Sequence, residues 1–398
     1  MRPDLALIAP YPPAGQRHGG HSGVASYTAN LAHALAAEGA DVTVVAARIP
    51  GAVDEPDEFL DGPVRVVRRY DLGGRALPDA AKAVAELRPR VTHVQWELFL
   101  YGGPRSVAGL LPALATLRRA GTGLVTTMHQ VLDPRTIDRS ATALHRIGAP
   151  ASVARIGLAS VQRSIAAACD ATIVHERAFT NIVPGSTMIP HGIEAPGEID
   201  RATARAHLQL GNHFIALCFG FLAPYKGLEL AAEAAALTGP AVDVVFAGGA
   251  HPRLDGAYDR ELQVRSAGRA RFTGWVPDEE VAAWFSAADV ALFTYPRPFS
   301  ASGALALALA HGTPLLLSPA LARCIGAPSA LVTPMDPASL AGELDRLART
   351  PGAVDAHAEW TTALRHERQW PAVARRHIEL YEEVCRGTDP DARRLRAA

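Results

Sequence analysis

Cysteine is scarce in this chain and is never clustered. The four cysteines among 398 residues are far apart and form no Cys-x-x-Cys pair; they are Cys169, Cys218, Cys324 and Cys385. Disulfide-rich scaffolds and zinc sites both need closely spaced cysteines, so the sequence favours neither. We therefore expect reduced thiols and a cytoplasmic protein.

An excess of charge and a long hydrophobic run are missing as well. The formal net charge is -1 and no basic tract is present, which argues against a nucleic-acid partner. The N-terminal segment has only a five-residue apolar run and no cleavage pattern, so we expect no signal peptide. The stretch 298–322 has no formally charged residue, but Gly312, Thr313 and Pro314 interrupt it. It is predicted to form a helix, a turn and a buried strand rather than a membrane span.

Lysine is nearly absent. Of the 39 lysine and arginine residues, only Lys82 and Lys226 are lysines. Together with the abundance of alanine and arginine, this bias is typical of a GC-rich genome, and we expect an actinobacterial source. A lysine kept against such a bias is a candidate for a functional role.

What the chain does contain is an alternation of short β-branched runs and helical segments. Such a pattern is typical of parallel sheets covered by helices on both faces. In a first series, the predicted strands are 4–10, 41–46, 64–70, 91–96, 124–129 and 171–175, and the predicted helices are 22–38, 78–87, 107–119 and 152–169. In a second series, the strands are 215–221, 242–247, 270–273, 290–294 and 314–317, and the helices are 228–237, 278–287, 304–310 and 337–347.

The fold expected from these series is α/β, with two Rossmann-like domains whose parallel sheets face a central cleft. Ligands of such sheets bind beyond the carboxyl ends of the strands. The predicted boundaries are an N-terminal domain at 1–194, a linker at 195–205, a C-terminal domain at 206–370, a helix at 371–386 that crosses back to the first domain, and a tail at 387–398.

Three loops in this arrangement could hold phosphate groups. In the first domain, Gly19, Gly20 and Gly23 lie between the first strand and its helix, where backbone and helix amides can approach an anion. A flexible turn capped by Ser22 is the alternative. The loop is not a Gly-x-Gly-x-x-Gly fingerprint, so a nicotinamide cofactor is poorly supported.

The other two loops belong to the second series. Lys226 could place its ammonium against a diphosphate; the alternative, a solvated lysine at a helix start, would oppose the helix dipole. Ser302 is a predicted N-cap, and Gly303 would expose the first helical amides to an anion, although a buried helix with ordinary caps explains both residues as well.

The chain resembles the family-four retaining glycosyltransferases of the GT-B fold, the glycosyl transferases group 1. The likeness runs over most of the chain, in the order and spacing of the blocks GGHSGVASYTANLAHALAAEGADVTVVA, LVTTMH, MIPHGIE, FGFLAPYKGLE, RFTGWVPDEE and ALAHGTPLL. The resemblance implies a nucleoside-diphosphate sugar donor bound mainly by the second domain, an acceptor bound mainly by the first, and transfer with retention. It implies no metal and no other cofactor, and the stretch with Trp370 and Tyr381 resembles the helix that returns across the domains.

Site residues follow from the resemblance position by position. Catalytic roles are implied for His129, near the reacting sugar, and for Lys226, which would stabilise the leaving diphosphate. Trp275 and Val276 match the segment that lines the nucleobase. The full set of donor-binding positions is Gly20, Gly220, Lys226, Gly248, Trp275, Val276, Ser302, Gly303 and Ala304.

Acceptor contacts are expected at the edge of the first domain. The candidates are Gly19, His21, Gln95, Trp96, Glu97 and Gln130. Gln95, Trp96 and Glu97 end a strand and could hydrogen-bond or stack on an acceptor, and a half-buried sheet edge explains them nearly as well. His175 and His191 also lie at strand ends, but they lack metal-ligand spacing, so no metal site is predicted.

The sequence departs from the family at three positions. The family usually places an arginine five residues before the lysine, and this chain has Phe221 there. It also usually carries two glutamates eight positions apart, which contact the donor ribose and the transferred sugar; here those positions are Phe299 and Leu307. Both carboxylates are absent.

The stretch 135–163 carries five arginines in a part of the first domain through which related enzymes often touch membranes. Asp133, Asp138, Gly148 and Pro150 weaken its amphipathic stripe, so a solvated helical lobe beside the acceptor site is the preferred interpretation, with membrane association peripheral at most.

Three functions remain open from the sequence. The leading hypothesis is a retaining glycosyltransferase that acts on a small-molecule acceptor in bacterial natural-product or glycoconjugate biosynthesis. The second is a catalytically degenerate homologue that binds a nucleotide or sugar as a partner subunit, because both family glutamates are replaced. The third is a nucleotide-sugar epimerase on the same fold, which the matched blocks disfavour.

Overall fold

The protein is described here by a computed structural model that covers residues 4–16, 22–52, 54–137, 142, 148–194, 197, 199–250, 256–297 and 302–388. The chain divides into two compact units. Unit 1 comprises Met1–Gly192 and Trp370–Ala398, and unit 2 comprises Ile193–Gln369. The predicted helix at 371–386 thus belongs to a longer one, Trp370–Thr388, within unit 1, and the tail beyond it lies outside the described residues.

Unit 1 is built on one eight-stranded sheet. Its strands are β1 Leu5–Ile8, β2 Val42–Ala47, β3 Glu58–Asp61, β4 Val64–Tyr70, β5 Val91–Trp96, β6 Gly123–Met128, β7 Ala171–Val174 and β8 Thr187–Met188. They follow the order β3-β4-β2-β1-β5-β6-β7-β8. Every neighbouring pair is parallel except β3 and β4, which run antiparallel. The central strands are buried on both faces, as their continuous apolar sequences predict.

The described helices of unit 1 are α1 Gly23–Ala37, α2 Ala76–Leu87, α3 Pro104–Ala108, α4 Leu110–Arg119 and α5 Ala151–Ala168, followed at the end of the chain by α14 Trp370–Thr388. The single helix predicted at 107–119 is wrong, because the chain forms α3 and α4 on either side of Gly109. A Cβ atom on Gly109 would lie 2.8 Å from Cδ of Pro78, so the break allows α2 to approach closely.

Helix α14 completes the core of unit 1. Its apolar side chains, among them Val373 and Val384, share one buried cluster with residues of α1 and of the sheet. Gly123, at the start of β6, makes room for it, since a Cβ atom there would lie 2.6 Å from Cγ1 of Val384. Helix α14 therefore belongs to unit 1, although unit 2 separates it from the rest of that unit in the sequence.

Unit 2 holds a five-stranded parallel sheet in the order β11-β10-β9-β12-β13. The strands are β9 Phe214–Phe219, β10 Val242–Ala247, β11 Ala270–Gly274, β12 Val290–Phe293 and β13 Leu315–Leu317. The described helices are α6 Arg201–His207, α7 Leu228–Ala235, α8 Ala257–Arg265, α9 Asp278–Ala287, α10 Gly303–Ala310, α11 Pro319–Ile325, α12 Pro337–Arg349 and α13 Asp355–Arg368.

Part of the predicted linker is helical. Asp200 caps α6, because its side chain accepts a hydrogen bond from the backbone N–H of Thr203 at 3.0 Å. Arg205 of this helix pairs with Asp289 at 2.6 Å, just before β12. Residues 201–205, predicted to lie between the domains, are thus tied to the sheet of unit 2.

Among the described residues, no helix combines the length and the apolar character that crossing a bilayer requires. Helix α5, in the arginine-rich stretch 135–163, buries only Gln162 and Ile165 and exposes the rest of its surface in part or fully.

Candidate functional site

In unit 1, polar side chains gather where three neighbouring strands end. Gln95 is the penultimate residue of β5, and His129 and His175 directly follow β6 and β7. Because these strands are parallel and paired in register, their carboxyl ends bring the three side chains to the same edge of the sheet.

A chain of hydrogen bonds joins these side chains. Oε1 of Gln95 lies 2.7 Å from Nε2 of His129. Nδ1 of His129 lies 3.2 Å from Nε2 of His175, whose Nδ1 lies 3.1 Å from the backbone oxygen of Ile189. Both ring nitrogens of His129 are therefore engaged within the protein, and its ring cannot turn without breaking a buried hydrogen bond.

Tyr27 of α1 fixes the ring of His129 from the side. The two rings meet edge to face, with centroids 4.6 Å apart and an interplanar angle of 85°. Tyr27 also contacts the rings of His191 at 4.9 Å and Trp370 at 5.2 Å. Among the described residues its buried hydroxyl has no hydrogen-bond partner. Sequence reasoning missed Tyr27, because nothing in the spacing of α1 distinguishes it from an ordinary core residue.

His129 and His175 are held neutral. Burial, followed by the effect of neighbouring histidines, lowers the pKa of His129 and of His175 well below the usual value. A neutral, fixed imidazole suits hydrogen bonding and shape recognition better than proton exchange with solvent.

The predicted acceptor-binding residues fall into three groups. Gly19 and His21 lie outside the described residues, as does the predicted donor-binding Gly20. Gln95 and Trp96 are buried, and Gln95 is occupied by His129, so the structure does not present these two side chains at a half-exposed sheet edge. Glu97 and Gln130 are half-buried at the ends of their strands, and burial raises the pKa of Glu97.

In unit 2, Lys226 is the main candidate. After β9 the chain passes Gly220, forms a short 3-10 turn at Pro224–Lys226 and enters α7 through Gly227, which has a positive φ of 63°. Lys226 is only 5% exposed. This burial argues against the alternative of a solvated lysine at a helix start.

The ammonium of Lys226 makes few polar contacts with the described residues. Nζ donates a hydrogen bond to the backbone oxygen of Phe219 at 3.0 Å and forms no salt bridge with any described residue. Burial lowers its pKa to about 8. A buried cation without a carboxylate partner is costly, and a bound anion would relieve that cost.

Gly248 lets a second loop approach the lysine loop. It follows β10 with a φ of 152°, and a Cβ atom on it would lie 2.5 Å from the oxygen of Gly220. Only glycine fits that backbone and that space. The predicted donor-binding glycines Gly220 and Gly248 are thus brought together.

An aromatic pair lies on the surface of unit 2. The rings of Phe221 and Trp275 are 5.7 Å apart, and Trp275 is 64% exposed, whereas Val276 is buried. Backbone atoms of Trp275 face Gly249, the residue after Gly248. Phe221, which stands where the family has an arginine, therefore packs on a residue predicted to line the nucleobase.

The third predicted loop begins a helix, as expected. Ser302 caps α10, since its Oγ accepts from the N–H of Leu305 at 3.3 Å, and it also lies 3.2 Å from the hydroxyl of Tyr295. Gly303 is exposed and Ala304 half-exposed in the first turn, where amides have no partner within the helix. Leu307 is half-buried on this helix, and Phe299 lies outside the described residues.

No group of three or more histidine, cysteine or acidic side chains in the described ranges is arranged to hold a metal ion. His129, His175 and His191 of unit 1 instead contact one another through their rings, and His129 and His175 also share a hydrogen bond.

Two family models match the chain. The model "Glycosyltransferase Family 4" matches residues 21–185, and the model "Glycosyl transferases group 1" matches residues 213–350. No curated protein is similar enough in sequence to count as a match.

Solved structures share the fold over nearly the whole chain. Sucrose-phosphate synthase from Thermosynechococcus elongatus is 21% identical, with a TM-score of 0.69, over 96% of this chain and 98% of its own. Anabaena HepE in complex with UDP-glucose is 14% identical, with a TM-score of 0.63, over 95% and 99%. WaaG, a glycosyltransferase of lipopolysaccharide biosynthesis, is 14% identical, with a TM-score of 0.60, over 97% and 100%.

Proposed function

Because this chain belongs to the glycosyl transferases group 1, the family-four glycosyltransferases with the GT-B fold, we propose that it transfers a sugar with retention from a nucleoside-diphosphate sugar to a hydroxyl group of a small-molecule acceptor. The observation that carries the proposal is the buried ammonium of Lys226, which has no carboxylate partner among the described residues. The complex of Anabaena HepE with UDP-glucose supports a uridine diphosphate sugar as the first donor to test.

In this proposal the chain acts on the leaving group. Lys226 and the first-turn amides of α10, at Gly303 and Ala304, stabilise the negative charge that grows on the diphosphate as the glycosidic bond breaks. Because that charge is larger in the transition state than in the bound donor, these contacts lower the barrier and do more than bind the substrate. No metal is required, since the lysine supplies the cation.

Acceptor binding is assigned to unit 1. His129 contributes a neutral ring in a fixed orientation, and Glu97 and Gln130 offer half-buried polar groups at neighbouring strand ends. The acceptor proton leaves with the diphosphate, so no side chain has to act as a permanent base. A role in bacterial natural-product or glycoconjugate biosynthesis is the biological setting that we propose.

A nucleotide-binding experiment tests this function. Thermal unfolding of the purified protein is followed with UDP, GDP, ADP and dTDP, for the wild type, Lys226→Ala and Lys82→Ala. A nucleotide at about 100 times its Kd adds roughly 2.7 kcal/mol of stability. We expect one nucleotide to stabilise the wild type and Lys82→Ala, because Lys82 is an exposed lysine of α2, and to leave Lys226→Ala unchanged.

The runner-up is a degenerate homologue that binds a nucleotide or sugar without turnover. It is favoured by one observation, the absence of both family glutamates, at Phe299 and Leu307. Incubation with UDP-glucose and an acceptor panel separates the possibilities: a transferase releases UDP only with an acceptor, an epimerase changes the sugar without one, and a degenerate homologue does neither.

A further inference from the structure

The hydrogen-bonded chain around His129 extends to the C-terminal helix. His93 lies on β5, two residues before Gln95, and its Nε2 is 2.7 Å from Oγ1 of Thr127 and 3.4 Å from the amide nitrogen of Gln95. Its Nδ1 is 2.6 Å from the hydroxyl of Tyr381 on α14. All of these side chains are buried, so the amide of Gln95 lies between two histidines and away from water.

We propose that His175 and Gln95 are positioning residues that fix the ring and the proton of His129. Gln95 also couples this proton position to the hydrogen bond between His93 and Tyr381. The proposal rests on the function proposed above only for its kinetic consequence. Its structural part concerns where the protons of the cluster reside.

The position of the first proton is set by a backbone carbonyl. Nδ1 of His175 faces the oxygen of Ile189, which can only accept, so this nitrogen carries a hydrogen. The short contact between Nε2 of His175 and Nδ1 of His129 then needs one hydrogen between the two nitrogens. A neutral pair places it on Nδ1 of His129, because His175 already has its single hydrogen.

In the neutral arrangement, Nε2 of His129 has only a lone pair. The amide of Gln95 must then donate its N–H to that nitrogen and turn its oxygen towards His93. His93 carries its hydrogen on Nε2, facing Thr127 and Gln95, and its Nδ1 accepts from the hydroxyl of Tyr381.

In the other arrangement, Oε1 of Gln95 faces His129, as in the structure, and accepts from an N–H on Nε2. The His129–His175 pair must then hold one additional proton. The amide nitrogen of Gln95 donates to Nε2 of His93, which shifts the hydrogen of His93 to Nδ1 and makes Tyr381 the acceptor. The amide orientation, the charge of the pair and the tautomer of His93 therefore change together.

The surroundings favour the neutral arrangement near pH 7. The groups that contact the pair or act on its pKa are Tyr27 from α1, His93 from β5, His191 after β8 and His377 from α14. None of the described groups that act on the pKa of His129 or His175 is a carboxylate; burial and the other histidines lower both values. His129 is thus a neutral ring with its hydrogen on Nδ1.

Nitrogen-15 NMR of histidine-labelled full-length protein tests the proton positions directly. At pH 7 we expect His129 to carry its hydrogen on Nδ1 and His93 on Nε2. Gln95→Glu places a carboxylate between His129 and His93. It should raise the pKa of the His129–His175 pair by about 1–3 units and bring its titration towards the pH range in which the protein is folded. Tyr381→Phe should alter the His93 signals. Tyr70→Phe should not, because Tyr70 is a buried tyrosine of unit 1 whose hydroxyl has no hydrogen-bond partner among the described residues.

Kinetics test the positioning role. His175→Phe keeps the ring shape but offers no nitrogen, and we expect kcat to fall about 10- to 100-fold. His175→Gln keeps an acceptor and a donor and should recover most of that loss. Nucleotide stabilisation, which depends on Lys226 in unit 2, should stay unchanged in both variants.

The outcomes for the two proposals are distinguishable. If His129 keeps the same tautomer and pKa in His175→Phe and Gln95→Glu, the positioning proposal is wrong, whatever the activity. Equal kcat values for His175→Phe and His175→Gln would also overturn it. If no nucleotide stabilises the wild type, the proposed function fails while the NMR result still decides the proton positions.

Discussion

A Cβ atom on Gly220 would lie 3.0 Å from Nζ of Lys226, so the glycine loop and the buried ammonium occupy adjoining space. Gly220 also has a φ of 86°, which side-chain-bearing residues rarely adopt. We expect Gly220→Ala to cost about 1–2 kcal/mol of unfolding free energy in unit 2 and to weaken nucleotide binding by displacing Nζ. Gly256→Ala, at another positive-φ glycine of unit 2 with its nearest neighbour at 3.6 Å, serves as the control. It should show a similar loss of stability in calorimetry and normal nucleotide binding.

Nucleotide binding should depend on pH through Lys226. Burial lowers its pKa to about 8, so the free protein loses this cation as the pH rises through 8. We expect nucleotide affinity, measured by titration calorimetry from pH 6.5 to 9.5, to fall above pH 8. Lys226→Met should bind weakly and without this pH dependence. An affinity that stays constant to pH 9.5 in the wild type would show that Lys226 does not contact the nucleotide.

Without a ligand, the same lysine should make the folded protein more stable as the pH rises, whereas nucleotide affinity falls. Because its pKa in the folded protein is below the ordinary value, the unfolded chain binds more protons between about pH 8 and 10.5. The free energy of unfolding should therefore gain a contribution that grows as the pH rises through this window. Urea denaturation of the wild type and Lys226→Met measures the difference, and parallel pH profiles for the two proteins would contradict the assigned burial.

Two arginines of β4 should differ sharply in their effect on stability. Arg68 is 1% exposed and bonds Glu55 through Nη2 at 2.6 Å and the oxygens of Ala47 and Pro12. Arg65, on the same strand, pairs with Glu58 at the surface. We expect Arg68→Met to cost about 3–5 kcal/mol, since it leaves the Glu55 carboxylate without its cation and removes the arginine's hydrogen bonds to two carbonyls. Arg65→Met should cost less than about 1 kcal/mol. Equal losses in chemical denaturation would refute this distinction.

Phe221 offers a gain-of-function test. Its ring contacts exposed Trp275, beside Gly248 and Gly249, at the position where the family has an arginine. If the diphosphate binds at Lys226, Phe221→Arg adds a second cation, and a charged hydrogen bond of about 1.5–3 kcal/mol corresponds to roughly 10-fold tighter nucleotide binding or more. Phe221→Leu is the size control and should not tighten binding. Weaker binding by the arginine variant would indicate that the aromatic pair itself contacts the ligand.

Most strands were predictable because they are short runs rich in β-branched and other apolar residues, and the central strands are buried on both faces. The prediction of β4, β5 and β10 matches the structure at both ends. Strand β3 was not predicted, since Glu58–Asp61 is short, alternates between exposed and half-buried residues, and lies at the antiparallel edge. Helix α13 was missed for a similar reason: most of its residues are exposed or half-exposed, so it carries only a weak apolar stripe.

The candidate site was predictable where it depends on local sequence. Lys226 and His129 stand at strand and loop ends, where the chain order alone places a residue at the carboxyl edge of a sheet. The pairing of His93 with Tyr381 joins residues 288 positions apart, and no local pattern encodes it. Trp96, a candidate for acceptor contact or for a half-buried sheet edge, is buried and stacks on Tyr101, with ring centroids 6.3 Å apart.

The division of the chain has a consequence for the order in which the protein is made. Unit 2 is one continuous stretch inserted into unit 1, and the two crossing points are joined where the N–H of Ile193 bonds the oxygen of Arg368 at 2.8 Å. During synthesis the eight-stranded sheet therefore emerges from the ribosome before unit 2, but its covering helix α14 emerges only after unit 2. The core of unit 1 therefore stays incomplete, with the apolar surface around Gly123 uncovered, until all of unit 2 and helix α14 have been translated. A truncation that removes only the last helix would leave the protein permanently in that incomplete state.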